Sequence, residues 1–201
     1  MRLDSAPREQ LILASASPRR SQLLTQIGVS FKVEAADIDE TVAAGEEALS
    51  YVSRMAASKG AEVAGRFPTC VLVLAADTIV LVDGQVLGKP RNYDHAMTML
   101  EHLSDRSHQV VTAVSLYDRG LVKNLQVETE VTFRALSRQM CEAYLGTSEP
   151  WDKAGGYGIQ GLAGAFVVAM KGSYSNVVGL PLAETWQLLA SHGVTGHLSG
   201  G

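Results

Sequence analysis

Residues 71–90 read VLVLAADTIVLVDGQVLGKP, and this stretch decides the fold. Apolar residues fill it on both sides of Asp77, which is typical of a strand that is buried along much of its length. Asp83 and Gly84 then interrupt the apolar run, and an Asp-Gly pair at such a place predicts a β-hairpin. The stretch therefore predicts two paired strands with a carboxylate inside the first.

Strands and helices alternate along the rest of the chain. Strands are predicted in residues 11–15 and 165–170, and residues 29–41 are predicted as a strand followed by an acidic loop. Residues 108–136 alternate like a second hairpin that turns at Arg119-Gly120. Apolar residues at helical spacing predict helices at about 18–28, 47–65, 94–104, 137–147 and 180–193. The predicted fold class is α/β or α+β, with helices around a mixed sheet.

Length and composition predict one globular domain. The chain has 201 residues, of which 46% are hydrophobic, and no linker or low-complexity tract divides it. We expect this domain to span residues 11–193. Residues 1–10 would then be an N-terminal extension, and residues 194–201 a flexible C-terminal tail.

Charge, cysteines and hydropathy argue against several classes of protein. The net charge is −4, without the basic field that a nucleic-acid surface needs. Cys70 and Cys141 lack zinc spacing, so buried free thiols are expected. No apolar stretch is long enough to span a membrane, and the N-terminus lacks the apolar core of a secretory signal. We expect a cytoplasmic protein that binds neither nucleic acid nor membrane.

Residues 15–20, SASPRR, place two positive charges where a helix is already positive. Ser17 and the proline after it predict a helix start, which puts Arg19 and Arg20 in the first turn. Cations there cost about 0.3–1 kcal/mol each at exposed sites. The arrangement makes sense if an anion binds, because backbone N–H groups, the guanidinium groups and the Ser15 hydroxyl then face the same oxygens.

Carboxylates occur at two places that matter for chemistry. Asp77 lies inside an apolar strand, where a charge needs a partner or a cation, unless it sits at a solvent-exposed strand end or in a turn. Residues 36–40, ADIDE, form an acidic segment that is usually a solvated loop. If that loop folds towards Asp77, carboxylates from both segments would suit Mg²⁺.

Lysines and glycines give weaker signals. Lys59 lies in a predicted helix and Lys89 follows the hairpin, and either alone is typical of a surface lysine. The glycine-rich segment 153–164 allows close approach to a ligand, or is a mobile connector. It matches neither the dinucleotide-binding pattern nor a P-loop. The five histidines have no metal spacing, and we assign them no role.

A resemblance joins these features. LASASPRR, ADIDE, ASKG, AADTIV, LGKP, DKAGGYGIQG and NVVGLPL occur in this order between about Leu11 and Leu189. The set strongly resembles the Maf family of nucleoside triphosphate pyrophosphatases. The resemblance implies a single α/β domain with a mixed, elongated sheet, a cleft between two lobes and a homodimer. It also implies cleavage of a nucleoside triphosphate to the monophosphate and pyrophosphate with a divalent cation, either Mg²⁺, Mn²⁺ or Co²⁺.

The resemblance assigns roles by motif. Asp77 is the implied catalytic carboxylate, as proton acceptor for the attacking water, metal ligand, or both. Glu40, or Asp39 in its place, matches the second acidic position at the metal. The implied phosphate-binding residues are Ser15, Arg19, Arg20, Lys59 and Lys89.

Three positions bear on substrate choice. Arg19, Thr78 and Gln160 are similar to the subgroup that acts on dTTP and UTP, whereas the sister subgroup acts on 7-methyl-GTP. The Gln160 amide has the donor and acceptor that would pair with N3–H and a carbonyl of uracil or thymine. One departure lies at Asp105, where the family often has glycine. Asp tolerates the left-handed turn conformation, so we expect a small local effect.

Two other functions stay open on the sequence. A non-catalytic nucleotide-binding regulator of cell division would need the phosphate site, but not carboxylates beside it. A pyrophosphatase of purine or 7-methyl-GTP specificity would keep the chemistry and differ in the base that it accepts.

Overall fold

The computed structural model describes residues 11–68 and 71–198. Seven strands form one mixed sheet in the order β2-β1-β3-β5-β6-β7, with β4 paired to β3. The strands are β1 (Leu11–Ala14), β2 (Lys32–Val33), β3 (Leu72–Val82), β4 (Gln85–Leu87), β5 (Ser107–Asp118), β6 (Leu121–Phe133) and β7 (Val167–Lys171). The α/β class and the mixed sheet are confirmed.

Six α-helices accompany the strands in the described part of the chain. They are α1 (Pro18–Gln26), α2 (Ala48–Ala64), α3 (Tyr93–Leu103), α4 (Arg138–Leu145), α5 (Tyr174–Val178) and α6 (Leu182–Ser191). Five of them confirm predicted helices. The five-residue α5 was not predicted, because a single turn of helix carries no apolar period to detect.

The chain forms two compact units, and β3, β5 and β6 supply residues to both. Of the described residues, unit 1 contains 11–68, 71–77, 113–126 and 179–198, and unit 2 contains 78–112 and 127–178. In unit 1, β1 pairs in parallel with β2 and β3, and its inward side chains Ile12 and Ala14 pack with Val63 of α2. The core of unit 2 gathers α3, α4 and aromatic side chains that include Phe133 and Tyr157.

Both predicted hairpin turns are present. Asp83 (φ 49°) and Gly84 (φ 76°) connect β3 to β4, which pair antiparallel with Val80 opposite Leu87. Arg119 (φ 50°) and Gly120 (φ 81°) join β5 to β6. Two consecutive positive φ values give each turn the twist that suits paired strands. Asp83-Gly84 favours this conformation locally, whereas Arg119 adopts it against the usual preference of its residue type.

Two further turns test details of the sequence. Asp105 has φ 57°, which confirms that an aspartate takes the left-handed conformation where the family often has glycine. The glycine-rich segment is more ordered than a mobile connector, because 3-10 turns occupy Pro150–Asp152, Ala154–Gly156 and Leu162–Phe166. Gly155 has φ 69°, and a Cβ there would crowd Val80, so this position needs glycine.

Some predictions concern the ends and the cysteines. The N-terminal extension 1–10 and Cys70 lie outside the described residues. Cys141 is a buried free thiol, as expected, and burial raises its pKa. Within the described part of the predicted tail, the His197 N–H donates to the Ile27 carbonyl at 3.1 Å. Among the described residues, no helix has the length and apolar character needed to cross a membrane.

Candidate active site

The start of α1 holds one of the two arginines firmly. Pro18 is the first helical residue and Ser17 precedes it, as predicted, but the Ser17 side chain makes no capping bond. The buried Ser15 hydroxyl instead accepts from the Ser17 N–H at 3.2 Å and from Arg20 Nη1 at 3.1 Å. Ser15 thus links the strand end, the helix start and a guanidinium group.

Arg20 is oriented from a second side as well. Its Nε donates to the Gly179 carbonyl at 2.8 Å, and Gly179 belongs to the NVVGLPL motif. Burial lowers the pKa of Arg20, while the negative charges of Asp77 and Glu40 oppose that shift. The guanidinium group is therefore preorganised close to both carboxylates, and the Arg19 charge next to it adds to the positive field.

Lys59 joins the two predicted carboxylates. Its Nζ lies 2.7 Å from Asp77 Oδ1 and 2.7 Å from Glu40 Oε1. The side chains of Lys59 and Asp77 are each 14% exposed, whereas that of Glu40 is 51% exposed. A strand carboxylate, a loop carboxylate and a helix ammonium thus meet at one point, although 18 residues separate Lys59 from Asp77.

Close packing of α2 on the sheet puts Lys59 at this point. A Cβ on Gly60 would collide with the ring of Tyr117, and the next contact would be Ala75 of β3. The Tyr117 hydroxyl also donates to the Ala57 carbonyl at 2.6 Å. The missing side chain of Gly60 lets the helix approach the strand that carries Asp77.

The structure separates Glu40 from Asp39, the two candidates for the second acidic position. Asp39 Oδ1 accepts from the Thr41 N–H at 2.9 Å and from the Thr41 hydroxyl at 2.6 Å. These bonds lower the pKa of Asp39 and commit its carboxylate to the loop. Glu40 is the residue that reaches Lys59.

Side chains of α2 that the sequence did not point to hold this acidic loop. Arg54 forms a two-pronged bond to Glu46, at 2.6 Å for each nitrogen, and donates to the Thr41 carbonyl at 3.0 Å. The Tyr51 hydroxyl donates to the Glu40 carbonyl at 2.9 Å. Tyr51 and Arg54 are three residues apart and share a face of α2, but this spacing alone does not mark them as partners of a loop.

Thr78, in unit 2, belongs to a hydroxyl chain. Its Oγ1 lies 2.9 Å from Thr112 Oγ1, and the Thr112 hydroxyl donates to the Asn176 carbonyl at 3.1 Å. Because a hydroxyl has one hydrogen, Thr78 is the donor to Thr112. The buried Asn176 amide in turn donates to the Val110 carbonyl and to Thr129 Oγ1. Thr112 and Asn176, which fix the Thr78 rotamer, were not predicted.

Lys89 and Gln160 are both exposed and both lie in unit 2. The backbone next to Lys89 contacts the glycine-rich segment, because the Gly155 N–H donates to the Gly88 carbonyl at 3.0 Å. Gln160 occupies a tight turn that the Gly161 N–H closes onto the Gly158 carbonyl at 3.1 Å. Both side chains are thus placed by ordered backbone.

The predicted site residues therefore form one cluster in unit 1 and a second set in unit 2. The first contains Ser15, Arg19, Arg20, Glu40, Lys59 and Asp77. The second contains Thr78, Lys89 and Gln160. The cluster in unit 1 has three cations and two carboxylates, a composition suited to an anion with a bound cation.

The donor set fits a hard divalent cation. Asp77 and Glu40 converge on one point from separate elements, and carboxylate oxygens are the ligands that Mg²⁺ prefers. In residues 11–68 and 71–198, no three His, Cys, Asp or Glu side chains gather as a cation cage. In proteins, one or two carboxylates commonly hold Mg²⁺ together with phosphate oxygens and water.

Comparisons with known proteins agree with the motifs. The family model described as Maf-like protein matches residues 10–192. A dTTP/UTP pyrophosphatase of Colwellia psychrerythraea is 49% identical over 194 residues, which cover 94% of this chain and 92% of that protein. A dTTP/UTP pyrophosphatase of Myxococcus xanthus is 51% identical over 190 residues, covering 94% of this chain and 96% of that protein.

One solved structure is more distantly similar. The Staphylococcus aureus Ham1 protein is similar at a TM-score of 0.44 and 16% identity, over 62% of this chain and 72% of that one.

Proposed function

This chain belongs to the Maf-like protein family, and on that premise we propose that it hydrolyses dTTP and UTP to the monophosphate and pyrophosphate. The observation that carries the proposal is the bridge from Lys59 to Asp77 and Glu40 beside the arginines of α1. A site that only binds a triphosphate has no need for two carboxylates next to its phosphate ligands.

The triphosphate would lie at the start of α1. Backbone N–H groups at a helix start attract anions, and guanidinium groups form paired bonds to phosphate oxygens. Arg20 is already held by Ser15 and Gly179, so little side-chain freedom is lost when the phosphate binds. Arg19, Lys59 and Lys89 complete the proposed phosphate set.

The two carboxylates would hold the divalent cation. Asp77 and Glu40 are its proposed ligands, and we propose Mg²⁺ as the ion, with Mn²⁺ or Co²⁺ as possible substitutes. When bound, such a cation offsets the repulsion between carboxylates and phosphates and stabilises charge that develops on phosphate oxygens. Lys59 would keep both carboxylates in place before substrate arrives.

Asp77 would position the attacking water and take its proton. A bond forms between the water oxygen and the α-phosphorus, and the bond from that phosphorus to the bridging oxygen breaks. Pyrophosphate leaves with the electron pair, while the proton passes to the Asp77 carboxylate. Positioned cations stabilise the leaving group, so the protein contributes mainly orientation and electrostatics.

The base would be selected by Arg19, Thr78 and Gln160. The Gln160 amide can donate to a carbonyl of thymine or uracil and accept from its N3–H, and cytosine lacks that N–H. Thr78 is held in one rotamer by Thr112, which suits a residue that must discriminate between ligands. On the basis of these three residues, we propose that the chain belongs to the subgroup that acts on dTTP and UTP.

A panel of triphosphates tests the proposal. Pyrophosphate release with Mg²⁺ would be measured for dTTP, UTP, CTP, GTP, 7-methyl-GTP and ITP. We expect turnover concentrated on dTTP and UTP, and a loss of about 10²- to 10⁴-fold in Asp77→Asn. Asp39→Asn is the matched control, because that carboxylate is committed to Thr41, and it should keep most activity.

The other outcomes identify the alternatives. Turnover of GTP, 7-methyl-GTP or ITP alone would keep the chemistry and reject the pyrimidine assignment. Binding of triphosphates without turnover, under Mg²⁺, Mn²⁺ and Co²⁺, would favour the regulator of cell division. Full activity in Asp77→Asn would reject the catalytic role of that carboxylate.

The family resemblance also motivates proposals on assembly and location. We propose that two copies of the chain associate, that residues 11–193 are the working domain and that the protein acts in the cytoplasm. Sedimentation of the purified protein over a range of concentrations tests the first point, and a single-copy mass throughout would contradict it.

A further inference from the structure

Glu149 holds the part of the glycine-rich segment that follows Gln160. Its Oε2 accepts from the Leu162 N–H at 2.8 Å and its Oε1 accepts from the Ala163 N–H at 3.2 Å. These N–H groups open the 3-10 turn Leu162–Phe166, where the helix itself offers them no acceptor. One carboxylate therefore caps this turn with both oxygens.

The Glu149 carboxylate is itself fixed from the other side. The Tyr144 hydroxyl on α4 donates to Oε1 at 3.0 Å, and burial together with the Glu149 charge raises the pKa of Tyr144. The Lys153 ammonium donates to the Glu149 carbonyl at 2.6 Å. These contacts hold Glu149 in a defined position independently of its bonds to Leu162 and Ala163.

The loop is shaped to this carboxylate. A Cβ on Gly161 would collide with Glu149, so only glycine allows the approach. The Gly161 N–H closes the four-residue turn whose third residue is Gln160. Gln160 therefore lies inside a closed turn, and only Gly161 separates it from Leu162, whose N–H group Glu149 binds.

We propose that Glu149 is a positioning residue for base selection, acting through Gln160. The inference rests on the proposed function, in which the Gln160 amide reads the pyrimidine edge. An amide distinguishes bases only if its donor and acceptor are presented at a fixed orientation. Without the carboxylate, the Leu162 and Ala163 N–H groups lose their acceptor and the turn that carries Gln160 is free to rotate.

If Glu149 only stabilised the fold, its replacement would leave the selectivity between dTTP and CTP unchanged. The ratio of kcat/KM for dTTP to kcat/KM for CTP would be measured in the whole protein with Glu149→Gln, Gln160→Ala and the double variant. A glutamine at 149 keeps the size of the side chain, but its NH₂ cannot accept the second N–H bond. Glu142→Gln is the matched control, because Glu142 is exposed on α4 and its side chain pairs with Arg138.

We expect Glu149→Gln to lower the dTTP-to-CTP ratio about tenfold, in the range that a well-placed amide–base pair provides. Gln160→Ala should lower it to a similar extent, and the double variant should be no less selective than Gln160→Ala alone. Amide hydrogen exchange should rise in residues 158–164 of Glu149→Gln. Glu142→Gln should match the wild type in both measurements.

Three results would overturn the inference. One is an unchanged ratio in Glu149→Gln, and another is an unchanged ratio in Gln160→Ala; the third is additive losses in the double variant. If Glu149→Gln does not fold, Glu149→Asp keeps the charge but shortens the reach, and the same criteria apply to it. Failure of the proposed function is distinct, because the wild type would then release no pyrophosphate from any triphosphate.

Discussion

Two loops carry proposed site residues, and they are held in different ways. The acidic loop with Glu40 is attached to α2 by charged and hydroxyl side chains, above all by Arg54, whose side chain is 38% exposed. The glycine-rich segment with Gln160 is attached through its own backbone N–H groups to the Glu149 carboxylate and through Tyr157 to the buried His108. Charge orders the first loop, whereas burial and backbone bonding order the second.

The difference suits the proposed tasks of the loops. A cation ligand such as Glu40 must accommodate charges that arrive with substrate, and exposed ion pairs adjust at small energetic cost. A residue that reads a base edge must not move, and a carboxylate bound to two N–H groups leaves little freedom. The comparison predicts that the two loops respond to different conditions, the glycine-rich segment to mild acid and the acidic loop to salt.

The largest effect is expected from His108. Burial lowers its pKa to about 4, its Nε2 bonds the Tyr157 hydroxyl at 2.7 Å, and its buried Nδ1 has no hydrogen-bond partner in the described structure. The unfolded chain, with an ordinary histidine pKa near 6.5, binds the proton first as pH falls. The contribution of His108 to the free energy of unfolding is therefore fully present above about pH 6.5. It decreases as the pH falls towards 4, by about 3 kcal/mol in total.

Urea unfolding at pH 7, 5.5 and 4.5 measures this change. His108→Gln should start less stable and lose less free energy of unfolding over the same pH range. His95→Gln is the control, because that histidine is partly exposed and its Nδ1 accepts from Arg91, and it should keep the wild-type pH dependence. Equal pH dependence in His108→Gln and the wild type would contradict the role given to burial.

The ion pairs of the acidic loop should stay intact as the pH falls from 7 to 4.5. Its Arg54–Glu46 pair lowers the pKa of Glu46 to about 2, and the Asp39 pKa is lowered by Thr41. A carboxyl with a depressed pKa contributes above its unfolded value and loses that contribution only as pH falls towards the folded value. The Arg54–Glu46 pair is thus still intact at the pH values at which His108 of the unfolded chain already binds a proton.

A smaller effect is expected from Arg54→Met. Without the guanidinium group, Glu46 and the Thr41 carbonyl lose their partner, and Glu40 is less well placed beside Asp77. Mn²⁺ binding in the presence of a non-hydrolysable triphosphate analogue, followed by electron paramagnetic resonance, should weaken about tenfold. The free energy of unfolding should change little, because exposed ion pairs contribute about 0–1 kcal/mol.

Arg138→Met provides the matched control for this prediction. It breaks the exposed Arg138–Glu142 pair on α4 and should leave Mn²⁺ binding unchanged. High salt should weaken Mn²⁺ binding of the wild type towards that of Arg54→Met, since salt screens exposed charges. If Arg54→Met binds Mn²⁺ as tightly as the wild type, the acidic loop does not need Arg54 to place Glu40.

Local chemistry made much of the fold predictable. Asp83, Gly84 and Gly120 are of the residue types that tolerate positive φ, and they indicate both hairpins, although Arg119 takes a positive φ that its residue type rarely adopts. The start of α1 at Pro18 follows in the same way. The lack of a capping bond from the Ser17 side chain could not be predicted in this way. The Ser15 hydroxyl accepts from the Ser17 N–H instead, and no pattern in the sequence indicates this bond.

The site was less accessible from the sequence. Motif resemblance named Lys59, Asp77 and Glu40, but their meeting depends on the packing of α2 on β3 at Gly60, which is a contact distant in sequence. The choice of Glu40 over Asp39 depends on hydrogen bonds within the loop. Arg54 and Glu149 act on backbone groups of loops, and spacing alone gives no sign of such partners.

In the proposed reaction, the Lys59-linked carboxylates direct water to the α-phosphorus of a pyrimidine triphosphate. Hydrolysis of dTTP in ¹⁸O-labelled water, with mass spectrometry of both products, tests it most directly. We expect the label in the monophosphate and none in the pyrophosphate. Label in the pyrophosphate, or in inorganic phosphate released from the terminal position, would contradict it.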